Sequence, residues 1–397
     1  PSSAASDVYK RQDLESIFEG ELYPDFRLLW LLCHRTRLVG APDARPPLDA
    51  WRDAAMATGT RAMAGLRVQV KEALRELGTG FVTHPRNQAL RAALRDGTVT
   101  PAQFQSGLLT VLYRLLFLFV AEARGQLHPS DATATVRDRY ADNYGLTRLR
   151  TVGRRHVGDS RHADLWLGFD LVCTLLGDTD GSQAPRRAVL GLPALGGLFA
   201  RNPFPGVDGL VHLANAHFAT AIHHLSVVHI KEGRGKGRTT LRRVNYADLD
   251  VEELGGIYEG LLELVPQVVS AEGGASFAFA GETAGGDRKQ SGSYYTPRDL
   301  VGALVTSTLD PVIEDRLRGA TTPKAREAAI LGITVCDPAC GSGHFLLAAA
   351  ERLAGELASV RADGREPSVT EVRQARRDVI AHCLYGVDLN PMAVDLC

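Results

Sequence analysis

The sequence predicts an α/β chain: a mainly helical N-terminal region followed by the beginning of a parallel, doubly wound sheet. Three observations carry that expectation. Residues 13–270 place apolar side chains mostly at helical spacings of three and four. The stretch AEGGASFAFAGETAGGDRKQSG is rich in Gly, Ala and Ser, which sets a linker over residues 271–290. From Ser291 to Cys397, helical patterns alternate with two short apolar runs, ITVCDP and LYGVDL, that read as strands.

The opening PSSAASDVYKRQ lacks a starting Met and is similar to translated adaptor sequence, so residues 1–12 are expected to be a non-native leader. From Pro101, Phe104, Leu108, Leu112, Leu115, Leu116 and Phe119 form a broad apolar helix face that stops at Gly125. Arg114 interrupts this run, which is shorter than the roughly 20 residues a membrane span needs, so a buried helix and no membrane association are expected. Leu165–Leu176 reads as a second buried element, and HLANAHFATAIHHLSVV as a helix after the turn RNPFPG. Lys231–Arg238, KEGRGKGR, is a basic, glycine-rich connector, read as a solvated loop. In YADLDVEELGGIYEGLLELV, Leu249, Leu254, Ile257, Tyr258, Leu261 and Leu262 mark one helix face.

Composition sets outer limits. The 397 residues are 45% hydrophobic and 23% charged, the mix of a globular protein with room for two or three domains. With 45 Lys and Arg against 46 Asp and Glu there is no overall basic field, so nucleic acid must be met by local patches or by other sequence. Six cysteines without a CxxC pair or a zinc spacing fit a reduced, cytoplasmic setting.

Three motifs carry chemistry. In Val335-Cys336-Asp337-Pro338-Ala339-Cys340-Gly341-Ser342-Gly343-His344-Phe345, a strand delivers Asp337 to its C-terminal edge, and two glycines let the backbone approach a ligand before a helix begins. Ser342 is the expected N-cap. The acidic residue suits a ligand with hydroxyl or ammonium donors better than a pyrophosphate. In Tyr385-Gly386-Val387-Asp388-Leu389-Asn390-Pro391, a strand-end carboxylate is placed to accept bonds from ribose hydroxyls, with Leu389 and Pro391 suited to an adenine face. Asp388 follows Gly341 by 47 residues, against roughly 20 in the usual dinucleotide fingerprint, which calls for an additional helix between the strands. Asp363 is nearer but sits in a turn, RADGREP. In Ser291-Gly292-Ser293-Tyr294-Tyr295-Thr296-Pro297-Arg298-Asp299-Leu300, Thr296 as N-cap, Pro297 at the first position and Asp299 start a helix, with two tyrosines ahead of it.

GSYYTP, DPACGSGHF and GVDLNP, in that order, closely resemble the opening motifs of N6-adenine DNA methyltransferases of the gamma class. With the helical lead-in and LGGIYEGLLE, the chain is similar to large type IIG restriction-modification methylases and their phage-defence relatives. The motifs cover about 110 residues. The resemblance implies a Rossmann-like class I methyltransferase domain over 291–397, truncated after its second strand, with S-adenosylmethionine as cofactor. It implies Tyr295, Thr296 and Pro297 at the methionine end, Asp337, Ala339, Cys340, Gly341 and Gly343 along the centre, Asp388 on the ribose and Leu389 beside the adenine.

Such enzymes use an Asn-Pro-Pro-Tyr or Asn-Pro-Pro-Phe loop, which hydrogen-bonds the adenine amino group and stacks on the flipped base without a metal. These residues contain no such loop: Asn202-Pro203-Phe204-Pro205 and Asn390-Pro391-Met392 have neither its proline pair nor its place, so no catalytic residue and no metal ligand is assigned. The expectation is a fragment of a DNA adenine methyltransferase, inactive alone, whose double-stranded DNA is met mainly by regions outside it. Restriction or defence partner proteins are further expected partners. An acidic-acidic-lysine nuclease core is not evident either. RNA or protein methylation, and a noncatalytic helical scaffold or DNA-binding module, are the alternatives.

Overall fold

A computed structural model describes residues 23–39, 45–129, 131–154, 162–231, 239–247, 249, 255, 257, 261, 264–271, 274–280, 298–389, 393–394 and 397. Two compact units emerge, one of residues 62–295 with 391–396, the other of residues 296–390 with 1–61 and 397. Before the first unit run α1 (Tyr23–Cys33), α2 (Arg35–Leu38) and the start of α3 (Pro47–Thr83).

The first unit is helical, with α4 (Gln88–Asp96), α5 (Pro101–Ala123), α6 (Ala134–Asn143), α7 (Leu146–Arg154), α8 (Asp164–Leu176), α9 (Ala184–Leu190) and α10 (Asn215–Ser226). Helix α5 starts on a capping box: the Gln103 amide donates to the Thr100 hydroxyl at 3.2 Å and the Thr100 amide to the Gln103 side chain at 2.8 Å. It is the one described helix long and apolar enough to cross a membrane, and 83% of that apolar window is buried in the unit's core. Its mid-helix charge is met by backbone carbonyls: Arg114 donates to those of Leu198 and Phe199, both at 3.1 Å, with the Asp170 carboxylate close enough to feel its charge. Glu122 near the helix end accepts the Tyr140 hydroxyl at 2.7 Å and the Leu146 amide at 2.9 Å, capping α7.

Two antiparallel hairpins interrupt this helical region, where the sequence pattern led us to expect helix and linker. Helix α10 stops at Ser226, and the β-branched pair Val227-Val228 opens β1 (Val227–Lys231), which pairs with β2 (Thr239–Arg243). The Lys231–Arg238 connector thus begins inside a strand, and residues 232–238 lie outside the described ones. Strands β3 (Pro266–Ala271) and β4 (Gly274–Phe279) form the second hairpin, which runs from the end of the expected helical region into the expected linker. Phe277 and Phe279, two apart, are buried in the helical core, and Phe277 lies against Gly78, where a Cβ would come within 2.4 Å of its ring. Of the face expected around residue 257, Leu249, Ile257 and Leu261 are buried in that core, and Leu254, Tyr258 and Leu262 lie outside the described residues.

The second unit contains α11 (Arg298–Arg318), α12 (Pro323–Leu331), β5 (Val335–Asp337), α13 (His344–Ala362), α14 (Val369–Cys383) and β6 (Leu384–Gly386). Strands β5 and β6 are parallel and in register, Val335 opposite Leu384 and Asp337 opposite Gly386. Two helices, α13 and α14, lie between them in sequence, which accounts for the long interval to Asp388. A separate core of Leu309, Ile313, Ile330, Leu353, Leu357 and Val379 joins the four helices. Arg361 on α13 ties its neighbours together, donating to Glu327 of α12 at 2.9 Å and to Asp378 of α14 at 2.6 Å.

Candidate cofactor site

Parallel pairing puts the C-terminal ends of β5 and β6 side by side, and both motif aspartates emerge there. Past the strands the backbones stay joined: the Val387 amide donates to Asp337 O at 2.9 Å, and the Cys340 amide to Val387 O at 3.0 Å. The Asp388 carboxylate then accepts the Gly341 amide at 2.9 Å, linking two motifs separated by 47 residues. Asp337 accepts the Ala339 amide at 3.0 Å, folding its own turn. Asp337, Ala339, Cys340, Gly341, Gly343, Asp388 and Leu389 therefore lie in one turn cluster. Tyr295, Thr296 and Pro297 lie outside the described residues, and α11 is described from Arg298.

The turn closes differently from the sequence expectation at one position. The N-cap of α13 is Gly343, not Ser342, with φ of 85°, a left-handed conformation that glycine adopts without a Cβ penalty. Its amide donates to Cys340 O at 2.8 Å. Ser342 Oγ caps nothing: it is buried in the turn with no hydrogen-bond partner. Asp363, the alternative acidic residue, is the left-handed C-cap of α13 and has no strand to follow.

Two features went unread in the sequence. Gly386 permits the close approach of strand and turn, because a Cβ there would stand 3.0 Å from Leu346 and 3.1 Å from Cys340 Sγ. Its only signal was a glycine inside a strand pattern. Cys340 and Cys397 face each other beside the turn; burial pushes the Cys340 thiol above its ordinary value and the Cys397 thiol up to about 11. Both thiols therefore stay protonated at neutral pH, Cys340 buried and Cys397 exposed.

Around the cluster the surfaces differ in polarity. Leu389 is fully exposed at 104%, beside the Asp388 carboxylate, and Val387 is also exposed. A cavity of about 460 Å³ is lined by Asp337 together with Leu304, Val305 and Thr308 of α11 and Phe345 of α13. The site is thus an acidic strand edge with an apolar flank. It suits a ligand with hydroxyl and ammonium donors and a flat apolar ring.

Comparison with known proteins agrees with the motifs. Residues 250–397 match the family model described as N-6 DNA Methylase. A protein of Methanocaldococcus jannaschii named as a type II restriction enzyme and methyltransferase is 23% identical over 229 residues, 51% of this chain and 17% of that protein. The adenine-specific methyltransferase PglX of Streptomyces coelicolor is 39% identical over 72 residues, 18% of this chain and 5% of PglX. The solved structure of the type IIL restriction-modification enzyme MmeI in complex with DNA aligns over 82% of this chain and 34% of that one, at 13% identity and a TM-score of 0.43. Residues 250–397 therefore match N-6 DNA methylase sequence, and the matched stretches span less than a fifth of either curated relative.

Proposed function

We propose that the chain supplies a helical region, residues 13–270, and the S-adenosylmethionine site, within residues 291–397, of an enzyme that methylates the N6 amino group of adenine in DNA. Its setting would be cytoplasmic restriction-modification or phage defence. The observation that carries this reading is the bond from the Gly341 amide to Asp388, which fixes the carboxylate of the second motif over the glycine turn of the first.

The residues fit the cofactor by their own chemistry. Ser342 Oγ, buried and unpartnered in the turn, is a polar atom for which a ligand would supply the partner. The exposed Leu389 side chain beside a carboxylate offers an adenosine both a ring contact and a hydroxyl acceptor. Two acidic residues disfavour a pyrophosphate and favour the ammonium of a methionine moiety. When bound, S-adenosylmethionine supplies an electrophilic methyl group. In this reading Asp388 orients the ribose, Gly341 and Gly343 let the backbone come close, and Tyr295, Thr296 and Pro297 border the methionine end. The 397 residues hold no Asn-Pro-Pro-aromatic loop to activate adenine, so no methyl transfer to DNA is assigned to them alone.

Titration calorimetry of the whole chain with S-adenosylmethionine tests the site. Asp388→Ala is expected to weaken binding by roughly tenfold or more, the scale of one charged hydrogen bond. Asp388→Asn keeps an acceptor for the Gly341 amide while removing the charge, so weaker binding with an unchanged melting temperature separates ligand contact from turn stability. Unaltered affinity in both variants would sink the assignment and favour a noncatalytic helical scaffold.

A further inference from the structure

The helical unit carries a second feature that the cofactor site does not use, the β1–β2 ribbon. Its base is rigidly held. The buried Arg150 donates to Ser226 Oγ at 3.2 Å and to Val244 O at 2.8 Å, gripping the residue before β1 and the residue after β2. Its guanidinium lies 5.4 Å from the Phe119 ring centre and 5.5 Å from that of Tyr246, which are themselves stacked. The Tyr246 hydroxyl donates to Leu225 O at 2.7 Å, and Val227 and Val228 are buried beneath.

Beyond that base the ribbon leaves the core. Leu241, Arg242 and Arg243 are consecutive in β2 and all exposed, and His229 opposite Leu241 is exposed as well. Successive strand residues point to opposite faces, so both faces of the ribbon meet solvent there. The charge is concentrated too: residues 231–243 contain six Lys or Arg and one Glu, in a chain whose formal net charge is -1. A two-stranded antiparallel ribbon fits the major groove of B-form DNA, and basic side chains on it neutralise phosphates.

We propose that the β1–β2 ribbon is an arm that binds the phosphate backbone of duplex DNA through Arg242 and Arg243. The choice of DNA as the polyanion rests on the methylase reading; the ribbon's geometry and charge do not. Arg150 is a positioning residue that holds the arm's base.

The test is fluorescence anisotropy of the whole chain with a labelled DNA duplex across a salt series. Arg242→Gln with Arg243→Gln is expected to weaken binding roughly tenfold at low salt and to flatten the slope of log K against log salt by about 1.8, at roughly 0.9 per phosphate contact. The double Arg→Lys variant keeps charge and should keep affinity, which excludes misfolding as the cause. An unchanged slope in the double Gln variant would overturn the proposal, and so would a wild-type chain that does not bind duplex DNA. Duplex RNA bound as tightly, and lost equally in the variant, would overturn the choice of DNA. Cofactor affinity in the ribbon variants should stay at the wild-type value, so failure of the arm leaves the Asp388 experiment standing, and the reverse holds.

Discussion

The two units bury their polar groups in different ways. In the helical unit, Arg114 and Arg150 are buried and donate to backbone carbonyls, Arg150 also to the Ser226 hydroxyl. In the methylase unit, Arg352 and Arg361 are only partly buried and pair with carboxylates on neighbouring helices, Arg352 also with Glu356 of its own helix. The apolar surfaces differ as well. The helical core is one continuous cluster from Leu66 to Phe279, whereas Tyr385, Val387 and Leu389 at the β6 end stand exposed beside the aspartates. In the helical unit the buried arginines hold the chain's own carbonyls, whereas at the β6 end exposed apolar side chains stand next to two strand-end carboxylates, a combination that a ligand can use.

The comparison is broken most readily through the second hairpin. Phe277 packs edge-on to Phe104 at 5.6 Å and to Phe279 at 5.2 Å. If β3–β4 belongs to the helical core, Phe277→Ala should cost about 3–5 kcal/mol, as for other fully buried aromatics, read by chemical denaturation. A loss below about 1 kcal/mol, the level of a surface change, would mean that this segment is the linker its composition suggested. The next effect in size belongs to the glycine turn. Gly343→Ala forces a Cβ into a left-handed conformation, at a cost of about 1–2 kcal/mol, and sets it 2.6 Å from Cys397 Sγ. The loss should appear in the methylase unit alone and be accompanied by weaker S-adenosylmethionine binding. A variant with wild-type stability would remove the argument that this turn requires glycine.

These two sites also show what sequence could and could not convey. The strand, turn and helix around Asp337 were legible because each step is local: apolar β-formers, then glycines, then a run with helical period. The order of GSYYTP, DPACGSGHF and GVDLNP pointed to the family before any contact was known. Phe277 and Phe279 carried a correct period-two signal, but the surrounding Gly, Ala and Ser outweighed it, since only packing against Gly78 reveals why such a weak strand is stable. The end of α10 was misplaced for a related reason. Val227 and Val228 continue its apolar face, and what makes them a strand is a partner, Arg242 and Arg243, on the far side of the connector. Ser342 shows the opposite failure: the residue type was right for a cap, but the turn placed its hydroxyl inward and gave the cap to Gly343.

The smallest expected effect, and the one that best separates the units, is their response to acid. His84 and His212 stack with ring centres 5.5 Å apart and planes 18° from parallel. Burial lowers both below the ordinary imidazole value; for His84 the neighbouring charges of His212, Arg86, Arg91 and His217 lower it further, and for His212 that of Arg86. A depressed histidine favours the neutral fold, so this contribution is present above the ordinary value of 6.5 and is lost as pH falls through it. In the methylase unit the sign is the same but the window is lower. The Arg361 guanidinium holds Asp378 below 3.8, and its contribution is lost only as pH falls below that value. Between about pH 6.5 and pH 4 the helical unit should therefore loosen while the methylase unit does not. Glu122 works against this within the helical unit, because burial raises its carboxyl above 4.5 and its contribution grows on acidification. The raw pH profile consequently mixes two signs, and a variant is needed to isolate the histidines. His212→Gln removes one titrating ring and should flatten the acid loss in residues 62–230, followed by hydrogen exchange corrected for its intrinsic pH dependence. The stacked pair would lose its role if that variant loosened on acidification as much as the wild type. If the methylase unit softened over the same interval, acid response would no longer distinguish the two regions.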